Sequence, residues 1–419
     1  MDSVIVFGDS LSDIGKKWLT KSGRLAKFTN QMHTSPTGRF SDCRNWTDFM
    51  YEAATGDSLL TGTAAEAVAK SADHTSYSKE CAAFGFQYAN YAEGGACGDR
   101  PASKALFLGT FKDQIDSFEA DCKSSGLPLG NALFIVWFGA NDLYTAKRVP
   151  GQMDQVAREI AKTQRDRLAK IFDEWNMATA PLEGPYTCKF IFADLCRPLS
   201  SVRYSMSLKK AEDKVIAHMG KKYSKEQAKH NQSLSNAENT LEQAGWQGKL
   251  PNRFGRANAE EKLRRQIESI KSFEEGVRFF NQTLASIASG NGDLVAKLAN
   301  CLSEDTIEQL LIRRDYGLKF GAMDEEAAFV SAPKYDENNQ PHTLTTIDEA
   351  HPTDQMYRLI WWEIFEQIKA ADCTFGKLSP AGPASPTLGD LTAHTELMKQ
   401  IKEGPKRRLR TYTSPYTNA

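Results

Sequence analysis

No stretch of this 419-residue sequence approaches the roughly 18–20 consecutive apolar residues of a membrane-spanning helix, so the chain offers no transmembrane segment. Net charge is nearly missing too: 52 Lys and Arg against 53 Asp and Glu leave a formal −1. No global field therefore argues for nucleic acid as a partner. The eight cysteines form no Cys-x-x-Cys pair and no zinc spacing. Free thiols in a reducing compartment are the plain expectation. A disulfide among Cys43, Cys81 and Cys97, all in loop-like stretches, is the alternative. The N-terminus lacks a basic region followed by an apolar one, and Met1-Asp2-Ser3 leads straight into an apolar run. The expectation is a protein that stays in the cytosol, leaves by a route needing no cleaved leader, or has had a leader replaced by Met1.

What is present reads as an α/β chain long enough for one large domain or two smaller ones. Continuous apolar runs at Val4-Ile5-Val6-Phe7, at 132–138 and at 189–195 have the character of strands covered on both faces. A shorter run at 84–91 is a further candidate. Helical stretches at 110–120 and 154–175 lie between them, which predicts a doubly wound sheet. Residues 205–265 break the pattern with 13 Lys and Arg against 7 Asp and Glu. They are expected to form a charged, largely solvated helical insertion: a plain surface excursion, or a cap or contact for anionic lipid or a partner. Helix returns at 260–289. At 352–370, Met356, Ile360, Ile364 and Ile368 step by four beside Tyr357, Trp361 and Phe365, an amphipathic helix with Pro352 at its start. The expected boundaries are one domain over 1–372 and a Pro/Gly/Ser-rich, basic, mobile tail over 373–419, solubilising or in contact with an anionic surface.

The tetrapeptide Gly-Asp-Ser-Leu occurs twice. Gly8-Asp9-Ser10-Leu11 ends the first apolar run, so Ser10 is held out at a sheet edge as a candidate nucleophile. Gly56-Asp57-Ser58-Leu59 follows no strand and reads as a loop or helix cap. A serine needs a base, and the base a group that fixes its tautomer. Of seven histidines only His351 has a suggestive context, Asp348-Glu349-Ala350-His351-Pro352, where Asp348 can fold back onto Nδ1. His342 and Asp354 are nearby rivals in weaker contexts. Oxyanion donors are expected from two strand-end loops: Gly95 in Asn90–Ala96, and the Asn141 amide in Gly139-Ala140-Asn141-Asp142.

This set, in this order over residues 3–370, resembles the GDSL family of SGNH hydrolases. Gly38-Arg39-Phe40-Ser41-Asp42 with Asn45-Trp46 is similar to a segment of its lipase-like members. The resemblance implies a flavodoxin-like, three-layer α/β/α fold with a parallel sheet and ester hydrolysis through an acyl-enzyme. It implies Ser10 as nucleophile, His351 as base, Asp348 as orienter, and the Ser10 N–H, Gly95 and Asn141 as oxyanion donors. No metal or cofactor is implied. The blocks are most similar to bacterial phospholipase, lysophospholipase and glycerophospholipid–cholesterol acyltransferase members, so the implied substrate is an acyl ester of a lipid. A carbohydrate O-acetyl esterase is the alternative within the enzyme class. A catalytically inert scaffold that binds through its basic insertion is the alternative outside it.

Overall fold

The computed structural model describes residues 1–28, 34–41, 43–98, 109–146, 150–195, 198, 211, 214–215, 217, 256–290, 298–302, 334–335, 341–342, 351–352, 354–370 and 372–378. Its strands are β1 (Ser3–Gly8), β2 (Ala82–Ala83), β3 (Phe86–Asn90), β4 (Ala132–Trp137), β5 (Cys188–Ala193), β6 (Leu298–Leu302), β7 (Lys334–Tyr335) and β8 (Pro341–His342). Its helices are α1 (Lys16–Leu19), α2 (Lys21–Phe28), α3 (Trp46–Thr55), α4 (Ala64–Ala72), α5 (Phe111–Ser125), α6 (Ala140–Thr145), α7 (Met153–Thr179), α8 (Arg256–Gly290) and α9 (Asp354–Ala370).

The main sheet has the order β2-β3-β1-β4-β5-β6. All neighbours pair in parallel except the short hairpin partner β2. Counted among themselves the parallel strands run 2-1-3-4-5, the flavodoxin-like order, with the winding reversed between β1 and β4. This is the expected fold class. Alternate residues serve opposite cores. Val4, Val6, Leu133, Ile135 and Ile191 pack under α3, α8 and α9. Ile5, Phe7, Phe134, Val136 and Phe190 pack under α5 and the C-terminal half of α7. Burial on both faces is why β1, β4 and, after Lys189, β5 read as apolar runs.

Several expectations shift. The run at 84–91 is cut at its start because Gly85, at φ +83°, turns the chain from β2 into β3; Phe84 is exposed. β6 and α3 are elements the sequence reading did not propose. The expected insertion at 205–265 overlaps α8, which begins at Arg256, and most of the rest lies outside the described residues. Of its described residues, Ala211 and Val215 are buried. Packing also continues six residues past the expected boundary at 372. Cys373, Phe375 and Leu378 are buried, Phe375 meets the Phe86 ring at 5.1 Å, and Lys377 N–H donates to Ala54 O at 2.6 Å. Residues 379–419 lie outside the described residues. Among the described residues no disulfide forms; Cys43, Cys81 and Cys97 are thiols.

Candidate active site

The site is built at the C-terminal ends of β1, β3 and β4, where the winding reverses. Gly8 ends β1, and a Cβ there would stand 3.0 Å from the Ser12 side chain, so the turn that follows closes tightly over a glycine. The Gln114 side chain, from α5, serves both backbone groups of Gly8: its Oε1 accepts from the N–H at 3.2 Å and its Nε2 donates to the carbonyl at 2.8 Å. The turn is then fixed from α3 and β3. Trp46 Nε1 donates to Ser12 Oγ, Asn45 Nδ2 to Asp13 O, and Asn90 Nδ2 to Ser12 O.

Asp13 ties two loops together. Its carboxylate accepts from the N–H groups of Gly15, Lys16 and Lys17 and, at 2.7 Å, from Gly94 N–H in the loop after β3. Burial pushes its pKa up to about 6, against the pull of those N–H donors. Gly94 has no room for a side chain, because a Cβ would lie 2.3 Å from the Phe40 ring. Gly95 next to it adopts φ +81°, a conformation that favours glycine.

Ser10 follows β1 with 9% of its surface exposed, and its Oγ lies 2.9 Å from His351 Nε2. The imidazole sits against Phe40, ring centroids 5.1 Å apart. For Nε2 to accept the serine proton the ring must carry its own proton on Nδ1, which calls for an acceptor there. Asp348, expected in that place, lies outside the described residues, as does the side chain of His342. The rival Asp354 is engaged by Arg44, whose Nε reaches Oδ1 at 2.7 Å and Nη2 reaches Oδ2 at 3.0 Å.

Among the described residues neither the Ser10 N–H nor the Gly95 N–H has an acceptor. Asn141, in the first turn of α6, uses its Nδ2 differently, donating to Ala96 O at 3.0 Å and to Asp9 Oδ2 at 3.3 Å. Both its hydrogens are thus engaged at rest. To serve an oxyanion the amide must release one of them, and the longer contact to Asp9 is the one that yields first. Asp9 is 2% exposed, and Leu11 N–H also donates to it. Burial raises its pKa to about 7, opposed by the Leu11 N–H and nearby His351, and assisted by Asp142 and Asp13. Asp142 in turn accepts from Gly98 N–H at 2.7 Å, joining the β4 loop to the glycine loop.

The second tetrapeptide is the helix cap it was read as. Gly56 ends α3 at φ +71°, and Ser58 Oγ donates to Glu52 at 2.7 Å. Asp9, Asp13, Gln114 and Arg44 were not assigned a role from the sequence. Two of them lie beside Ser10 in the first block, a proximity that could have drawn attention. Gln114 and Arg44 act through partners 106 and 310 residues away, for which no local signal exists.

A hydroxyl hydrogen-bonded to an imidazole, with backbone N–H groups and a side-chain amide on adjoining loops, is an arrangement suited to acyl transfer. No curated protein matches the chain. The family model described as GDSL-like Lipase/Acylhydrolase matches residues 4–364, a span that takes in all three strand-end loops and His351. The chain belongs to the GDSL-like lipase/acylhydrolase family and is, in general terms, a carboxylic ester hydrolase.

Proposed function

We propose that the protein cleaves acyl esters of lipids, as a phospholipase A or lysophospholipase with capacity for acyl transfer, through a Ser10–His351–Asp348 triad. The observation that carries the reading is the 2.9 Å contact between Ser10 Oγ and His351 Nε2. His351 takes the Ser10 proton as Oγ attacks the ester carbonyl, and Asp348 holds the proton on Nδ1 and stabilises the imidazolium. The N–H groups of Ser10 and Gly95 and the Asn141 amide take the charge that develops on the carbonyl oxygen. His351 then protonates the departing alcohol. Water, or an acceptor alcohol in acyl transfer, attacks the acyl-serine by the reverse path.

The lipid preference is supported by the surface of α1 and α2, the helices that follow the serine turn along the chain. Residues 14–41 contain no Asp or Glu. Leu19 and Leu25 are exposed there on α1 and α2, with Lys21 and Arg24 around them. Exposed apolar groups with cations close by in the chain suit an anionic acyl-lipid surface. Hydrolysis of p-nitrophenyl esters from acetate to palmitate by wild type and Ser10→Ala tests both parts. The expected result is Ser10-dependent turnover that favours the longer chains. Turnover confined to acetate would move the assignment to sugar O-acetyl esters. Turnover retained in Ser10→Ala would overturn the nucleophile.

A further inference from the structure

The proposed catalytic pair joins residues 341 positions apart, so something must hold His351 against the end of β1. The clearest connection starts three residues beyond the histidine. Asp354 opens α9, and its carboxylate is 2% exposed. Three groups of Arg44 converge on it: the backbone N–H at 3.0 Å, Nε at 2.7 Å and Nη2 at 3.0 Å. The remaining arm, Nη1, donates to Glu52 Oε2 at 3.1 Å, and Glu52 Oε1 accepts from Ser58 Oγ at 2.7 Å. The guanidinium also lies over the Phe49 ring, 4.1 Å from its centre. A planar fork between two carboxylates fixes direction as well as distance, which an ammonium would not.

The same stretch touches the histidine directly. Phe40 lies against the imidazole, and Tyr357 of α9 donates to Phe40 O at 3.4 Å. A bidentate pair between Arg39 and Asp48, both fully buried, closes the segment onto α3. The start of α9, three residues beyond His351, is therefore docked onto the Arg44 and α3 segment, and α3 in turn supports the serine turn through Asn45 and Trp46.

We infer that Arg44, backed by Glu52 and Ser58 of the second Gly-Asp-Ser-Leu, is a positioning residue that sets the His351 imidazole at Ser10 by clamping Asp354. The inference rests on the proposed roles of Ser10 and His351. It gives the second tetrapeptide a task in the reaction without making its serine a nucleophile. Misplacing a catalytic group by about 1 Å costs up to roughly 100-fold in rate. Replacing the fork by an ammonium is thus expected to lower kcat roughly 10- to 100-fold and leave KM within about twofold.

The test is Arg44→Lys, with Glu52→Gln as a second variant should the first not fold. Two readouts are taken on folded protein: the imidazole resonances of His351 with isotope-labelled histidine, assigned with His351→Gln, and kcat per serine titrated by a fluorophosphonate. Displaced His351 resonances with a lower kcat and an unchanged KM support the clamp. A lower melting temperature with unmoved resonances and an unchanged kcat per titrated serine would make the network structural only and overturn the inference. If wild type turns over no ester but its His351 resonances still move in Arg44→Lys, the clamp stands and the ester reading fails.

Discussion

Burial of the Asp9 carboxyl makes a prediction whose sign and size can both be worked out. Its pKa rises from 3.8 to about 7 on folding. A raised carboxyl contributes stability that is fully present below the unfolded value and is lost as pH climbs through the folded one. The window therefore runs from about pH 4 to about pH 7, with stability falling across it. Between about pH 5 and about pH 8 the loss comes to roughly 2–3 kcal/mol, at ~1.4 kcal/mol per unit. Asp9→Asn removes the titration. It also sets an amide in place of the acceptor that faces Asn141, a pH-independent cost of about 1–3 kcal/mol. The informative quantity is therefore how the stability gap between wild type and variant changes with pH, not its absolute size. Urea unfolding of both proteins near the two pH values measures it, provided the slopes agree. The gap is expected to shift by about 2–3 kcal/mol in favour of the variant at the higher pH. A gap that stays constant would mean that Asp9 is already ionised at the lower pH, and the burial argument would be wrong.

Two further outcomes follow from the loops around the serine. Asn141→Ala should lower kcat by roughly 10²–10³ with little change in KM if the amide, as proposed, acts on charge present only in the transition state; steady-state kinetics with unchanged kcat would remove it from the oxyanion site. Gly94→Ala would place a Cβ 2.3 Å from the Phe40 ring, which itself rests on His351. It should destabilise by about 1–3 kcal/mol and depress kcat, read as a lowered melting temperature together with slowed fluorophosphonate labelling of Ser10; labelling at the wild-type rate would separate the glycine from the histidine.

The parts of the fold that were legible in the sequence are those buried on two faces or cut by a clear amphipathic period. β1, β4 and β5 needed nothing but their apolar runs, and α9 its step of four. β6 was not legible because Leu298-Ala299-Asn300-Cys301-Leu302 carries a central polar residue and, among the described residues, pairs on one side only, at the end of the sheet order. α3 did announce itself locally, through the capping box of Asn45 and Asp48, but that signal sits inside a segment read for its motif rather than for its caps. In the site, Ser10 and His351 stood out because the roles proposed for them, nucleophile and base, impose residue types in recognisable surroundings. Arg44 and Gln114 did not, because what they do is decided by partners that only the folded chain brings near. Asp9 stood inside the motif, yet its hold on Asn141 depends on β1 and β4 being neighbours, which no single segment states.

The long reach between the proposed nucleophile and its base has a consequence for how the protein is made. During synthesis at about 5–20 residues per second, the 341 residues that separate Ser10 from His351 take roughly 20–70 s to assemble. For all of that time the serine has no base beside it. The α3 surface that receives α9 is likewise present long before its partner emerges. On the proposed mechanism a nascent chain is then incapable of attacking the esters around it, and reactivity arrives only when α9 docks.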